Sequence, residues 1–120
     1  MSKAMRAGRK QTAEYRAKLT ALNDAFRMSF SGGKVFLTAG VAGLPQDDRA
    51  MALLKVAFYD DFDEANDPWS EHEFGAFDWA GNKFFWKIEY YDLTMEKGSE
   101  DATDPEKTTR VLTLMLAEEY

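Results

Sequence analysis

The chain contains a single histidine, His72, and it lies among acidic side chains. Histidine titrates near neutral pH, so it can act as a general acid, a general base or a metal ligand, and a nearby carboxylate would orient its ring. Asp67, Glu71 and Glu73 could supply that carboxylate. This stretch therefore suggests one hypothesis for the function, a small enzyme or metal-dependent site centred on His72.

A structural role for His72 competes with that hypothesis. If residues 71–73 are extended, Glu71 and Glu73 point to the face opposite His72, because side chains alternate along a strand. A metal site would need further ligands from elsewhere in the chain, for example Asp60, Asp61 or Asp92. Since one histidine among scattered carboxylates has no recognisable ligand spacing, we predict no metal and no cofactor. We favour the interpretation in which His72 anchors the start of a strand through hydrogen bonds.

Other reaction classes find little support in the sequence. The chain has no cysteine, which excludes thiolate nucleophiles, disulfides and cysteine-based zinc sites. It has no GxSxG elbow, and His72 is the only histidine that could activate a serine. The SGGK stretch at residues 31–34 lacks the GxxxxGK[ST] frame of a phosphate loop. The sequence thus favours a protein without enzymatic activity.

Charge is distributed unevenly along the chain. Residues 1–19 have a balance of +5, whereas the remainder has a balance of -11. Such an acidic body repels nucleic acid and attracts a basic surface on a protein that handles nucleic acid. We therefore predict a protein partner with a basic surface, and no direct binding to nucleic acid. The alternative is that the acidic surface only keeps the protein soluble.

The acidic residues are densest between positions 47 and 78, where the sequence has ten of them and only two basic residues, Arg49 and Lys55. Carboxylates held on a rigid scaffold can imitate the phosphates of a nucleic acid and occupy a basic groove. The alternative interpretation is a solvated helix start and loop. The residues predicted to bind a partner are Asp60, Asp61, Asp63, Glu64, Asp67, Trp69 and Glu71.

Two helices and one short strand are predicted in the first half of the chain. The first helix runs from Thr12 and ends at the Ser31–Gly33 stretch, because its apolar residues recur every three or four positions. A strand follows at residues 34–41. The second helix is predicted to run from about Pro45 to Asp61 and to bury one face, formed by Met51, Leu54, Phe58 and Phe62.

The second half is predicted to form a hairpin and a final helix. Residues 72–79 and 83–92 are the strands, joined across Ala80–Asn82. Strict alternation predicts a buried face made of Phe84, Trp86, Ile88 and Tyr90. Three aromatics outside that face are candidates for a partner contact or for packing under a helix: Trp69, Phe85 and Tyr91. Asp104-Pro105-Glu106 has the capping pattern of a helix start, so residues 104–120 are predicted as a helix.

These elements predict an α+β fold in the order α-β-α-β-β-α, with a small, mostly antiparallel sheet and helices packed against it. Residues 1–11 are predicted to be a basic, flexible amino end, and residues 12–120 a single domain. Residues 1–18 lack the apolar stretch that is typical of a signal peptide, and no apolar run approaches the roughly 20 residues that span a bilayer. We expect a cytoplasmic protein that does not bind membranes.

Five ordered blocks of the sequence resemble a known family. They are LNDAFR (22–27), VFLTAGV (35–41), NDPWSEHEFGAF (66–77), FFWKIEYYD (84–92) and TTRVLTLMLAEEY (108–120). The chain is similar, from about residue 20 to its end, to small bacterial proteins catalogued as a domain of unknown function, some of them encoded on plasmids and other mobile DNA. The resemblance implies no catalytic residue. It does suggest an inhibitor of a defence or nucleic-acid-handling protein, of the anti-CRISPR or antirestriction type.

Overall fold

A four-stranded sheet is the frame on which the helices lie. The computed structural model describes residues 12–120, so the predicted basic amino end at residues 1–11 lies outside the described residues. The strands are β1 (Lys34–Leu37), β2 (Phe74–Trp79), β3 (Asn82–Tyr91) and β4 (Thr109–Leu116). Their order in the sheet is β1-β4-β3-β2, with β1 and β4 parallel and the other neighbours antiparallel. Strands β1 and β2 are therefore its edges.

Three α-helices and a terminal 3-10 helix complete the fold: α1 (Ala13–Ser29), α2 (Ala39–Ala42), α3 (Gln46–Ala57) and the 3-10 helix Ala117–Glu119. The Thr12 hydroxyl caps α1 by accepting the Tyr15 amide at 3.0 Å. Helix α1 ends at Phe30, which takes the left-handed conformation (φ 55°), before the predicted glycines. The predicted strand at residues 34–41 is shorter than expected, because α2 begins at Ala39.

The predicted hairpin is present, and its alternation defines the core. Phe84, Trp86, Ile88 and Tyr90 are all buried and lie against buried residues of α1 and α3. The turn consists of Ala80 and Gly81, both with positive φ, as a two-residue hairpin requires. Gly75 lies opposite Trp86, and a Cβ there would collide with the indole ring. The helices thus pack on one face of the sheet.

The predicted final helix is wrong, because residues 109–116 form the strand β4. Asp104 does accept the Glu106 amide, at 3.0 Å, as a cap would. Its carbonyl then accepts the Lys107 amide, which closes a turn and starts no helix. The apolar run that follows enters the sheet between β1 and β3. A strand buried on both faces has near-continuous apolar residues, which periodicity does not distinguish from a helix.

The predicted buried face of the second helix is also wrong. Helix α3 buries Ala52, Val56 and Ala57, whereas Leu54 is 50 % exposed and Phe58 is 75 % exposed. Small side chains let the helix lie close to the sheet, so its larger apolar residues face solvent. The helix ends at Ala57, four residues earlier than expected. The Arg27 guanidinium caps this end, because it donates hydrogen bonds to the Val56 and Ala57 carbonyls.

The predicted fold class is confirmed as a small α+β fold with a mixed, mostly antiparallel sheet. The sheet carries its helices on one face, and Tyr120 packs near Phe74 and Phe85 on the other. Among residues 12–120, no helix combines the length and the apolar character needed to cross a bilayer.

Candidate functional site

His72 is held between two carboxylates and an aromatic ring. Its Nδ1 lies 2.9 Å from Oδ1 of Asp24, and its Nε2 lies 3.6 Å from Oδ2 of Asp67. The imidazole stacks on Phe62 with centroids 3.8 Å apart and planes 3° from parallel. We call Asp24, Phe62, Asp67 and His72 the histidine clamp, because they join α1 to the loop before β2.

Arg27 fixes the orientation of Asp24 in the clamp. Its Nη2 donates to Oδ1 of Asp24 at 2.9 Å, while Nη1 donates to the Val56 and Tyr59 carbonyls, each at 2.9 Å. The guanidinium is buried, and it lies 5.4 Å from the ring of Phe62. A buried cation with several hydrogen-bond acceptors holds its surroundings rigidly. The clamp and the end of α3 are thus one connected unit.

Asp67 is a buried anchor of the loop backbone. Its Oδ1 accepts the amides of Glu71 at 3.0 Å and His72 at 3.2 Å. His72 has a positive φ of 55°, so residues 71–73 are not extended as expected, and β2 begins at Phe74. Because Asp67 and Glu71 are buried, neither belongs to an exposed partner-binding surface. This corrects their predicted role.

Glu71 and Glu73 belong to a buried polar network on the helix side of the sheet. The Tyr90 hydroxyl donates to Oε2 of Glu73 at 2.6 Å, and Asn23 Nδ2 donates to the Glu71 carbonyl at 2.9 Å. Arg110 Nε in turn donates to Oδ1 of Asn23 at 2.8 Å. Burial lowers the pKa of Arg110, and electrostatic interactions with Tyr90 and Tyr15 act in the opposite direction. Glu73, a predicted catalytic candidate, is therefore committed to the core.

The clamp has the composition of a catalytic site and the connections of a structural one. A general base needs one ring nitrogen directed at the substrate, and both nitrogens of His72 face carboxylates of the protein. Among the described residues, no three histidine, cysteine or acidic side chains come together in a way that would hold a metal ion. These contacts join His72 to α1 and to Asp67, and its strand-anchoring role stays a prediction.

The predicted acidic surface is partly exposed. Asp60, Asp61, Asp63 and Glu64 all face solvent, and Trp69 is 58 % exposed. Internal hydrogen bonds hold this loop in shape. Oδ1 of Asp63 accepts the amides of Ala65 and Asn66, each at 2.9 Å, and Asn66 Nδ2 donates to the Asp61 carbonyl at 2.9 Å. These carboxylates are therefore presented on an ordered loop, residues 60–66, which we call the acidic loop.

A groove of about 740 Å³ lies beside these acids, between α3 and the edge strand β2. We call it the edge groove. Exposed apolar residues of α3, namely Met51, Leu54 and Phe58, line one wall, and Phe77 of β2 lines the other. Asp60, Asp61 and Asp78 are its carboxylates. The groove thus combines an apolar lining with an acidic rim.

Backbone groups of β2 point away from the sheet along its edge, and Ala76 and Asp78 of this strand line the groove. Paired residues in an antiparallel ladder alternate between exchanging hydrogen bonds and directing them outward. Because the Ile88 amide donates to the Glu73 carbonyl at 2.8 Å, the alternation directs the amides and carbonyls of Phe74, Ala76 and Asp78 away from β3. The Ala76 amide donates to the Tyr59 hydroxyl at a long 3.4 Å.

Tyr59 closes the floor of the groove. Its hydroxyl donates to the Asp61 carbonyl at 3.1 Å. Burial raises the pKa of Tyr59, against the lowering effect of the Ala76 amide, so the phenol stays protonated and able to donate. The two lysines near the groove are engaged, Lys83 with Asp78 at 3.9 Å and Lys55 over the Trp79 ring at 4.9 Å.

Sequence reasoning missed two parts of these sites. Asp24 lies 48 positions from His72, and no local pattern links residues so far apart. The groove wall was missed because its large apolar residues were assigned to the core. The available signal was the second stripe on the same helix, Ala52 and Val56, which has the same spacing and smaller side chains.

Comparison with known proteins identifies the family. A family model described as "Protein of unknown function (DUF3768)" matches residues 37–119, and the chain belongs to this family. No curated protein and no solved structure matches the chain. The matched range includes α3, the acidic loop and β2 to β4. The LNDAFR block, and with it Asp24 and Arg27, lies outside this range.

Proposed function

We propose that this member of the DUF3768 family is a non-enzymatic interaction protein that binds another protein through its acidic loop and edge groove. The observation that carries the proposal is the position of Asp60, Asp61, Asp63 and Glu64. All four are exposed on an internally hydrogen-bonded loop, and the exposed Phe58 lies two residues before the first of them. Ordered carboxylates around an apolar centre suit a basic, partly apolar protein surface.

The proposed target is a nucleic-acid-handling or defence protein. Such proteins have basic surfaces for phosphate backbones, and an ordered array of carboxylates competes for those surfaces. The resemblance to bacterial proteins encoded on mobile DNA supports this choice, because mobile DNA benefits from inhibiting such proteins. The proposed activity is therefore inhibition by occupation of a basic groove.

A His72-centred enzyme is the rival function, and two observations weigh against it. Both ring nitrogens of His72 face Asp24 and Asp67, and Glu73 is buried under Tyr90. The contacts of the clamp, which join α1 to the loop before β2, therefore explain the position of His72 without a catalytic role.

The test is affinity capture from nuclease-treated bacterial lysate at low salt, with elution by increasing salt and identification by mass spectrometry. We expect one enriched basic protein that is released by salt. Salt weakens the attraction between exposed charges, and the screening length is about 10 Å at 0.1 M salt and shorter at higher concentrations. In the test variant, Asp60, Asp61, Asp63 and Glu64 are all changed to lysine. This variant should fold and should lose the captured protein.

The matched control reverses four exposed acids elsewhere: Glu14, Glu96, Glu106 and Glu118. Both variants raise the formal net charge from -6 to +2, so only the position of the charges differs. Capture that survives in the test variant, or that is lost equally in both variants, contradicts binding through the acidic loop.

A further inference from the structure

We propose that the edge groove binds an extended, basic segment of the partner, which adds to β2 as a fifth strand of the sheet. This inference rests on the proposed function and deepens it, because it names the conformation and the chemistry of what is bound. Its evidence is the open edge of β2, the apolar wall of α3 and the charge of the groove.

The edge of β2 offers a template for strand addition. Phe74, Ala76 and Asp78 direct their backbone groups away from β3, and no described strand lies beyond β2. The 3.4 Å contact of the Ala76 amide with Tyr59 is long enough to be replaced by a peptide carbonyl. An added strand would form main-chain hydrogen bonds at every second residue.

The wall of α3 supplies the side-chain contacts. Met51 is 38 % exposed, Leu54 is 50 % exposed and Phe58 is 75 % exposed, and all three line the groove opposite the strand edge. Side chains of an extended segment alternate between two faces, so every second side chain would face this wall. An apolar residue of the segment would therefore be buried against Leu54 and Phe58.

The charge of the groove selects a basic segment and disfavours a second copy of this chain. Asp60, Asp61, Asp78, Lys55 and Lys83 all line the groove. Lys83 pairs with Asp78 and Lys55 lies over the Trp79 ring, so Asp60 and Asp61 are the carboxylates that a basic segment would meet. A second copy paired through β2 would bring the same carboxylates together, and like charges at close range oppose association. Lysine or arginine beside an apolar residue complements the groove instead.

The first experiment selects binders of the full-length protein from a displayed library of random peptides of about 12 residues, a length that exceeds β2. We expect enriched peptides in which a lysine or arginine lies two positions from an apolar residue, because side chains two positions apart on a strand lie on the same face. Enrichment of apolar residues at spacings of three and four would indicate a bound helix and would overturn the inference, as would a failure to enrich any sequence.

The second experiment places N-methyl groups along a selected peptide, one backbone nitrogen at a time. In strand addition, methylation at every second position should weaken binding about tenfold, and methylation at the intervening positions should change it by less than about twofold. On the protein, amide hydrogen exchange at Phe74 and Asp78 should slow when the peptide binds. Uniform tolerance of methylation, or unchanged exchange at both amides, overturns strand addition.

Two variants test the groove wall. Phe58→Ser should weaken the peptide about tenfold, because an exposed aromatic anchor is removed. Phe36→Ser is the matched control, since Phe36 is 48 % exposed on the opposite edge strand, and it should leave binding unchanged. Equal effects of the two variants would place the peptide outside the groove and overturn the inference. Self-association of the protein that the peptide reverses would place a second copy in the groove and would also overturn it.

Failure of this inference is distinguishable from failure of the proposed function. Salt-sensitive binding that is lost on reversal of the acidic loop, together with uniform N-methyl tolerance, leaves the acidic mechanism standing and removes strand addition. Periodic N-methyl sensitivity without salt dependence leaves strand addition standing and removes the acidic mechanism.

Discussion

The histidine clamp and the edge groove are built from the same kinds of residue and use them in opposite ways. In the clamp, Asp67 is buried, and the half-buried rings of Phe62 and His72 stack on each other beside it. In the groove, Asp61 and Phe58 face solvent. The sequence predicts catalytic candidates at His72, Asp67 and Glu73 from residue types alone, and of these His72 and Asp67 lie in the clamp. A carboxylate whose bonds are satisfied inside the protein stabilises the fold, whereas an exposed carboxylate is available to a partner.

Asp67 and Asp63 give the most controlled version of this comparison. Each accepts two backbone amides of the same loop, but Asp67 is buried and Asp63 is exposed. Water can replace a lost acceptor at the surface, but not in the interior. The difference in burial should therefore decide how much each carboxylate contributes to stability.

The largest expected effect is on Asp67. Asp67→Ala should lower the free energy of unfolding by about 2 to 4 kcal/mol, because the amides of Glu71 and His72 lose their acceptor in the interior. Asp63→Ala should cost less than about 1 kcal/mol. Urea denaturation of the two variants measures both values. Equal losses would break the comparison, since burial would then make no difference.

The next effect is on His72. His72→Ala should lower the free energy of unfolding by about 1 to 3 kcal/mol, since it removes the stack on Phe62 and the contact with Asp24. Capture of the partner by the folded variant should be unchanged, which can be measured in the lysate experiment. Loss of capture without loss of stability would make His72 part of the binding site and contradict the clamp.

A smaller effect on stability is expected in the groove. Phe58→Ser should change the free energy of unfolding by less than about 0.5 kcal/mol, because the ring is 75 % exposed. Leu19→Ser, at a fully buried position on α1, is the comparison variant and should prevent stable folding. Thermal denaturation distinguishes the two. A large loss in Phe58→Ser would show that the groove wall supports the core.

The smallest effect concerns Glu119, an exposed carboxylate with internal partners. The Thr38 hydroxyl and the amides of Leu116 and Gly40 lower the pKa of Glu119. Because the pKa is lower in the folded state, the ionised carboxylate stabilises the fold when the pH is above the ordinary pKa of a glutamate. This stabilisation is lost as the pH falls through the lowered pKa. In Glu119→Gln the acid-induced shift of the Gly40 amide resonance should disappear. Persistence of that shift would assign it to another group.

The hairpin was predictable because its signal is local. Alternation from Phe84 to Tyr90 and the turn at Ala80 and Gly81 are contained in about a dozen residues, and nearby residues specify them. The strand β4 was not predictable in the same way. Its capping pattern at Asp104 has the local chemistry of a helix start, but pairing with β1 and β3 decides the outcome.

The candidate sites were predictable only in part. Exposure of Asp60, Asp61, Asp63 and Glu64 follows from a run of acids in a turn-rich loop. Burial of Asp67 and Glu71 in the same segment depends on the amides and side chains that meet them, among them Asn23 from α1. Which stripe of α3 faces the sheet also depends on the space available there, which the sequence of the helix does not specify.

The position of β4 also determines when the sheet can form during synthesis. β4 pairs with both β1 and β3, and it lies at residues 109–116, near the carboxyl end. The ribosome releases the chain from its amino end, so β1 emerges before β2, β3 and its parallel partner β4 have been made. A chain that terminates before Thr109 leaves β1 unpaired and one edge of β3 open. Products truncated before β4 should therefore expose strand edges that promote aggregation.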